Sequence, residues 1–285
     1  MSQSLSLGFS SCPNDTFMFH ALVHGRVDAG GLRFEVVMED IEALNRRALG
    51  EHEALPLAFT KMSVAALGHV TERYAVLDAG AALGRGCGPL VLRRGDDARV
   101  GGLADLRGRR VAIPGERTTA NLLFRCFGPN EIEAVPMRFD EIMPALARGQ
   151  CDAGLVIHES RFTYPQWGLA CLADLGELWE NDTGLPLPLG VIVADRRLGP
   201  ELMRRFETAL RESVRVARSH PDEGRSWIRE HAQEMSDEVC DRHIALYVNA
   251  YSEALGEEGR VAIETLLARG RESGLLPPSV RGPWP

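Results

Sequence analysis

Two apolar strands, each introduced by a proline, constrain this chain more than any other feature. Gly88-Pro89-Leu90-Val91-Leu92 and Leu187-Pro188-Leu189-Gly190-Val191-Ile192-Val193 lie far apart and bracket a long run of strand and helix patterns. Such a pair reads as two crossings between two lobes. A chain that crosses twice builds one lobe from both of its ends. Here that lobe takes roughly residues 1–90 plus 195–285, and the second lobe takes roughly 91–194. A length of 285 residues suits two lobes of modest size. A ligand would then sit in the cleft between them, where pockets commonly form.

Within both lobes short apolar strands alternate with amphipathic helices, the pattern of an α/β fold. Strands are expected at Leu5–Phe9, Leu32–Met38, Leu55–Phe59, Tyr74–Leu77, Pro89–Leu92, Arg110–Ile113, Ile132–Met137, Gly154–Ile157 and Leu189–Ala194. Helices are expected at Asp15–His24, Ile41–Leu49, Lys61–Leu67, Thr119–Phe127, Asp140–Arg148 and Asp174–Asn181. The clearest helix is Pro200–Ser219, where Met203, Phe206, Leu210, Val214 and Ala217 repeat at helical spacing. Two more follow, near Asp237–Leu255 and Glu258–Ser273. An apolar face on these last helices would serve equally for a homodimer or for the core. The proline-rich tail Leu275–Pro285 is expected to wrap the surface or hang loose.

Two stretches resemble each other. Asp40–Thr60 and Phe139–Glu159 both run helix, glycine, acidic residue, strand. Aligning Gly50 with Gly149 sets Phe59 opposite His158, each near the carboxyl end of an expected strand. Open α/β sheets bind ligands at that end.

Composition removes several classes of function. The formal net charge of −8 argues against a general nucleic-acid binder, which needs a basic face. No apolar run is long enough to span a bilayer, and the N-terminus carries no charged-then-apolar leader. Six scattered cysteines form no C-x-x-C pair, which argues against a metal knuckle or disulfide framework and suggests a reducing cytoplasm. The basic residues carry one more signal. Of 32, only Lys61 is a lysine. An ammonium is a compact point charge and a guanidinium a wide fork, so a tight pocket could accept one and exclude the other.

Three segments could carry chemistry. Ser10-Ser11-Cys12-Pro13-Asn14-Asp15-Thr16 follows the first strand and opens a helix, with Asn14 or Asp15 as cap and free N–H groups suited to a carboxylate or phosphate. Cys12 reads as a packed thiol, since no histidine is near it in sequence. Pro114-Gly115-Glu116-Arg117-Thr118-Thr119-Ala120 repeats that design, and Ala120 leaves room for a ligand. His158 follows a buried strand, where an imidazole can act as general base near neutral pH. Position 162 is Phe, so His158-Glu159 does not open a zinc-protease helix. Ala79–Gly88 is rich in small residues but lacks the dinucleotide spacing, and reads as a tight loop before the first crossing.

Ser11–Phe17, Asp40–Asn45, Thr60–Ser63, Gly86–Leu90, Thr118–Ala120 and His158–Tyr164 together resemble the 1,4-dihydroxy-6-naphthoate synthase family of the futalosine route to menaquinone. The resemblance runs from about residue 5 to about residue 200. It implies a fold like the type II periplasmic binding proteins, used for catalysis in the cytoplasm. It also implies a carbon–carbon lyase acting on cyclic dehypoxanthinylfutalosine, a small anionic substrate, with no metal or organic cofactor. By the same resemblance His158 matches the proton acceptor, Lys61, Met62 and Ser63 match one substrate-contacting segment, and Thr119 with Ala120 match another. Two alternatives stay open: a non-catalytic module that binds a small carboxylate, and the sister enzyme chorismate dehydratase.

Overall fold

Strand pairing divides the chain between two sheets. The computed structural model describes residues 4–232 and 236–285. In chain order the strands are β1 (Ser4–Phe9), β2 (Arg33–Met38), β3 (Phe59–Ser63), β4 (Tyr74–Val76), β5 (Ala82–Gly84), β6 (Leu90–Arg94), β7 (Arg110–Ile113), β8 (Glu133–Pro136), β9 (Ala153–Val156), β10 (Leu169–Asp174) and β11 (Leu187–Asp195). The first sheet runs β2-β1-β3-β11-β4, with β5 also on β11; the second runs β10-β6-β9-β7-β8. β11 pairs with first-sheet strands along its whole length. β1–β2 and β7–β8 are parallel, as strand–helix–strand units require. The core continues across both sheets through Met62, Val91, Val111, Ala153 and Val191.

Helices 13–23 and 199–219 cover one face of the first sheet through Phe17, Met18, Phe206 and Leu210. Phe59 stacks on Phe206 at 3.9 Å between ring centroids. Helix 256–272 buries Ala262, Ile263, Leu266 and Leu267 in the core, which occupies the apolar face noted in its sequence. The tail wraps the surface: the Val76 N–H donates to the Pro283 carbonyl at 2.8 Å, and Leu276 is buried. None of the described helices is long and apolar enough to cross a membrane.

Several expectations need correction. The strand expected at Leu55–Phe59 lies at Phe59–Ser63, and the helix expected from Lys61 begins at Val64. Leu55 is 81% exposed, whereas every residue of β3 is buried between β1 and β11. Lys61 therefore sits on a central strand. This shift also undoes the alignment of Phe59 with His158. Gly50 and Gly149 do both end helices in the left-handed conformation, at φ 76° and 70°. The segment from Gly50 to β3 is longer than that from Gly149 to β9, so Phe59 starts its strand in the core while His158 follows the end of β9. The helix expected over Asp237–Leu255 breaks at Val248, which is extended, and Asn249 caps a new turn by accepting from the Tyr251 N–H at 2.9 Å. Ala79–Gly88 contains β5, which its small residues disguised. β10 and helix 225–231 were not anticipated.

The first crossing is held by backbone contact. A Cβ built on Gly88 would lie 2.1 Å from the backbone nitrogen of Gly176 and 2.3 Å from its Cα. Arg161 ties the same point, donating to the Gly88 carbonyl at 2.7 Å and to Asp174 at 2.5 Å, while Asp174 caps helix 175–183. Neither backbone can retreat without breaking that knot. Gly88→Ala is therefore expected to destabilise by at least the ~1–3 kcal/mol typical of overpacking. Gly102→Ala, in open space, should stay within about 0.5 kcal/mol. Urea midpoints of the two variants check this.

Candidate functional site

Several chain segments converge on one cavity between the sheets. It is lined by Asn14, Lys61, Ser63, Thr119, Ala120 and His158, with Ile41, Ala82, Cys87, Pro89, Thr118, Ile157, Leu189, Gly190 and Tyr247 completing the wall. About 560 Å³ of free space lies there, its open mouth included. Most lining side chains are apolar, so the few polar groups set orientation.

β3 supplies two of those groups by strand alternation. Lys61 and Ser63 share one face. Met62 points to the other and is fully buried in the core, so its side chain does not line the cavity. The Lys61 ammonium pairs with Asp15 on helix 13–23, and both are buried. Four donors converge on that carboxylate: the Ser10 N–H at 3.0 Å, the Ser10 hydroxyl at 2.6 Å, the Asn14 amide at 2.9 Å and Lys61. Asn14 and Asp15 therefore do not cap their helix. Cys12 occupies the cap position without a side-chain bond. Its thiol is packed as expected, and burial pushes its pKa well above the usual range.

The second segment is the start of helix 119–127. Thr118 caps it, its hydroxyl accepting from the Asn121 N–H at 3.3 Å. The Thr119 hydroxyl binds three elements together: it donates to the Leu189 carbonyl at 2.7 Å and accepts from the Ala65 N–H at 3.3 Å. Its oxygen is thereby engaged within the protein. What remains for a ligand at this helix start is backbone N–H groups, which a first turn leaves without intrahelical acceptors. Ala120 keeps the approach to them open.

His158 forms the third segment. It is the one non-glycine residue with positive φ among the described residues, at 58°. That conformation costs on the order of 1–3 kcal/mol and concentrates at functional sites. Its ring is partly buried beside Phe139, 5.0 Å away edge to face. Burial, and then the Lys61 charge, push its pKa down to about 3. The imidazole is thus neutral at physiological pH.

The fourth segment, helix 237–247, lies in a helix the sequence led us to expect, but its place at the cavity gave no signal there. It places His243 and Tyr247 behind and beside His158. His243 is fully buried, 3.0 Å from Asn14 and 6.1 Å from the His158 ring. Glu159, adjacent to His158 in sequence, turns toward His243, its Oε2 3.9 Å from Nδ1. A lone histidine amid helix-forming residues carries no mark of such a place, and only tertiary packing reveals it.

Next to Ser63, elements of the two sheets are joined by polar contacts. The Glu42 carboxylate accepts from the Arg117 backbone N–H at 3.1 and 3.2 Å. Asn45 donates to the Arg117 carbonyl at 3.4 Å and to Ser63 at 2.9 Å, and Arg117 pairs with Glu51 at 2.6 Å. Gly115, at φ 144°, lets Glu42 pack against the loop: a Cβ there would meet the Glu42 side chain at 2.3 Å. Among the described residues no cluster of His, Cys, Asp or Glu is arranged to hold a metal ion.

The chain matches the family described as Menaquinone biosynthesis over residues 5–272. It is 50% identical over 279 residues to a protein of Thermus thermophilus named 1,4-dihydroxy-6-naphtoate synthase, covering 98% of both chains. A Streptomyces coelicolor protein of the same name is also 50% identical, over 96% of this chain and 95% of its own. Among solved structures, an Archaeoglobus fulgidus protein is 35% identical with a TM-score of 0.87, covering 96% of this chain and 98% of that one. The alkanesulfonate-binding protein SsuA of Xanthomonas axonopodis pv. citri shares the fold at 16% identity and a TM-score of 0.73, over 98% of this chain and 96% of its own. The architecture is therefore that of the periplasmic binding proteins. Matched over nearly its full length to that family and to these relatives, the chain belongs to the menaquinone biosynthesis family.

Proposed function

We propose that this chain is a 1,4-dihydroxy-6-naphthoate synthase, a lyase that converts cyclic dehypoxanthinylfutalosine to the naphthoate with His158 as general base. The names of its relatives support the activity. One observation carries the site: a neutral imidazole and a buried ammonium line the same cavity as an open helix start. Cleaving a carbon–carbon bond beside a carbonyl needs a base and donors for the developing oxyanion. His158 supplies the base. Lys61, Ser63 and the N–H groups at Thr119 and Ala120 supply donors for the oxyanion and the substrate carboxylate. Met62 contributes through its backbone only. Aromatisation of the product drives the reaction, which leaves positioning as the protein's main task. Six scattered cysteines with no C-x-x-C pair suit the reducing cytoplasm.

The lobes, residues 1–90 with 195–285 and 91–194, close on the substrate, with β11 counted in the first lobe by its pairing. Residues 1–3 and 233–235 of these spans lie outside the described residues. The contacts of Glu42 and Asn45 with Arg117 hold the closed form and exclude water.

Three outcomes follow. Given the cyclic substrate, the purified protein should release fluorescent naphthoate, and His158→Ala should lower kcat by about 10²–10⁴-fold while the product still binds. Normal turnover by that variant would remove His158 from the role, and chorismate consumption would point to the sister enzyme.

The second outcome concerns acid. The imidazole titrates near 6.5 when unfolded and near 3 when folded. Below 6.5 the unfolded chain binds the extra proton, so the neutral ring's contribution is complete above pH 6.5 and is lost as pH falls toward 3. His243, also shifted down by burial, acts in the same direction. The urea midpoint should fall from pH 7 to pH 5, and His158→Asn should flatten part of that slope.

The third concerns closure. Glu42→Ala removes a charged acceptor worth about 1.5–3 kcal/mol in the closed form. Steady-state kinetics should show KM rising about tenfold or more, with kcat changed far less.

A further inference from the structure

Behind the cavity wall, four side chains from three elements make one line of polar contacts. His243 Nε2 lies 3.0 Å from Asn14 Oδ1, Asn14 Nδ2 lies 2.9 Å from Asp15 Oδ1, and Asp15 pairs with Lys61. All four residues are buried. Asn14 and Lys61 also line the cavity.

Hydrogen-bond chemistry fixes the direction of every link. The Asp15 carboxylate accepts from Ser10 and Lys61, and an ionised carboxylate can only accept. The Asn14 amide must therefore turn its NH₂ toward Asp15 and its oxygen toward His243. An amide oxygen cannot donate, so the donor at the far end has to be the His243 Nε2–H. With the opposite tautomer two lone pairs would face each other. Relief would require an amide flip, and the flip would set an oxygen against Asp15. Asp15 and the buried ring together fix which atom Asn14 turns to each of them, at a residue that also lines the cavity with Lys61.

We propose that His243 is a positioning residue for the lyase reaction: by donating Nε2–H to Asn14 it holds the amide so that this wall, with Lys61, offers only donors to a substrate oxygen that gains negative charge. The proposal rests on the synthase reading above and deepens it. The ring packs against Tyr247 at 4.6 Å, with His158 at 6.1 Å.

A double-mutant cycle with the cyclic substrate tests it. His243→Phe keeps a ring and removes the donor. It should lower kcat about tenfold to hundredfold, somewhat less than outright loss of an oxyanion donor, with KM within about threefold because the charge develops in the transition state. In an Asn14→Ala background the same change should cost less than about threefold more, since its route of action is gone. His243→Gln, which restores an N–H, should recover most of kcat. Losses that multiply in the double variant, or a His243→Gln as impaired as His243→Phe, overturn the proposal. Nitrogen-15 NMR of the unmutated protein decides it independently of whether any variant folds. A neutral Nε2–H ring at His243 is expected at neutral pH, and an Nδ1–H tautomer or an imidazolium refutes the arrangement. Unmutated protein that fails to release naphthoate would count against the synthase reading instead, while the NMR result would still decide how His243 holds Asn14.

Discussion

The buried pair of Lys61 and Asp15 is the interaction on which the site depends. It ties the central strand of the first sheet to the first helix, and it does so inside the wall of the cavity. Such a pair adds little net stability, because desolvating two charges offsets their attraction. Removing one partner is another matter: a lone buried charge costs roughly 3–5 kcal/mol. The pair is therefore best understood as a geometric constraint. Asp15, saturated by Ser10 and Asn14 as well, cannot move. Lys61 is held by that contact in the wall of the cavity. The cavity is thus close to neutral in charge yet rich in donors, which suits an anion that must bind and also leave.

The same ammonium acts on the imidazole proposed as the base. Lys61 is the second cause, after burial, of the lowered His158 pKa. A base of low pKa is a weak one, but it is always in its active form. Binding an anionic substrate beside Lys61 would oppose that ammonium's field and raise the basicity of His158 once the cleft is filled. The left-handed backbone at His158 belongs to the same design: β9 ends at Val156 and a short helix starts at Ser160, and the turn between them aims the ring into the cavity.

Much of this was legible in the sequence, for reasons that differ by residue. Helices 41–49 and 119–127 fell where periodicity and capping residues put them, because an Asp or Thr cap followed by an apolar repeat leaves few alternatives. The two proline-led strands are both buried, β6 in the second sheet and β11 in the first, as an apolar run of that kind has to be. β3 was misplaced because Leu55-Pro56-Leu57 mimics a strand, and only its partners β1 and β11 decide which apolar run becomes central. Lys61, Ser63, Thr119, Ala120 and His158 do meet at one cavity. Met62 does not, because strand alternation turns it away, and alternation could be applied only once β3 was in register. Asp15 and Asn14 looked like caps. Their true partners, Lys61 and His243, are remote in sequence, and local chemistry cannot announce a distant contact.

The sole lysine of a chain otherwise basic through arginine has a steric explanation. β11 runs beside β3 with Gly190 opposite Ser63, and a Cβ at Gly190 would sit 3.3 Å from the Met62 carbonyl and in van der Waals contact with Lys61 Cε at 3.5 Å. The stem of residue 61 thus runs along bare backbone, in a slot that a missing side chain opens. A guanidinium is planar and broad, and needs a fork of acceptors to satisfy five N–H groups. At this point it would find one saturated carboxylate and an apolar wall. An ammonium needs one partner and turns its remaining hydrogens to the ligand. The glycine on one strand and the lysine on the next are thus neighbours in one cavity wall, and the choice of ammonium over guanidinium follows from the acceptors available there.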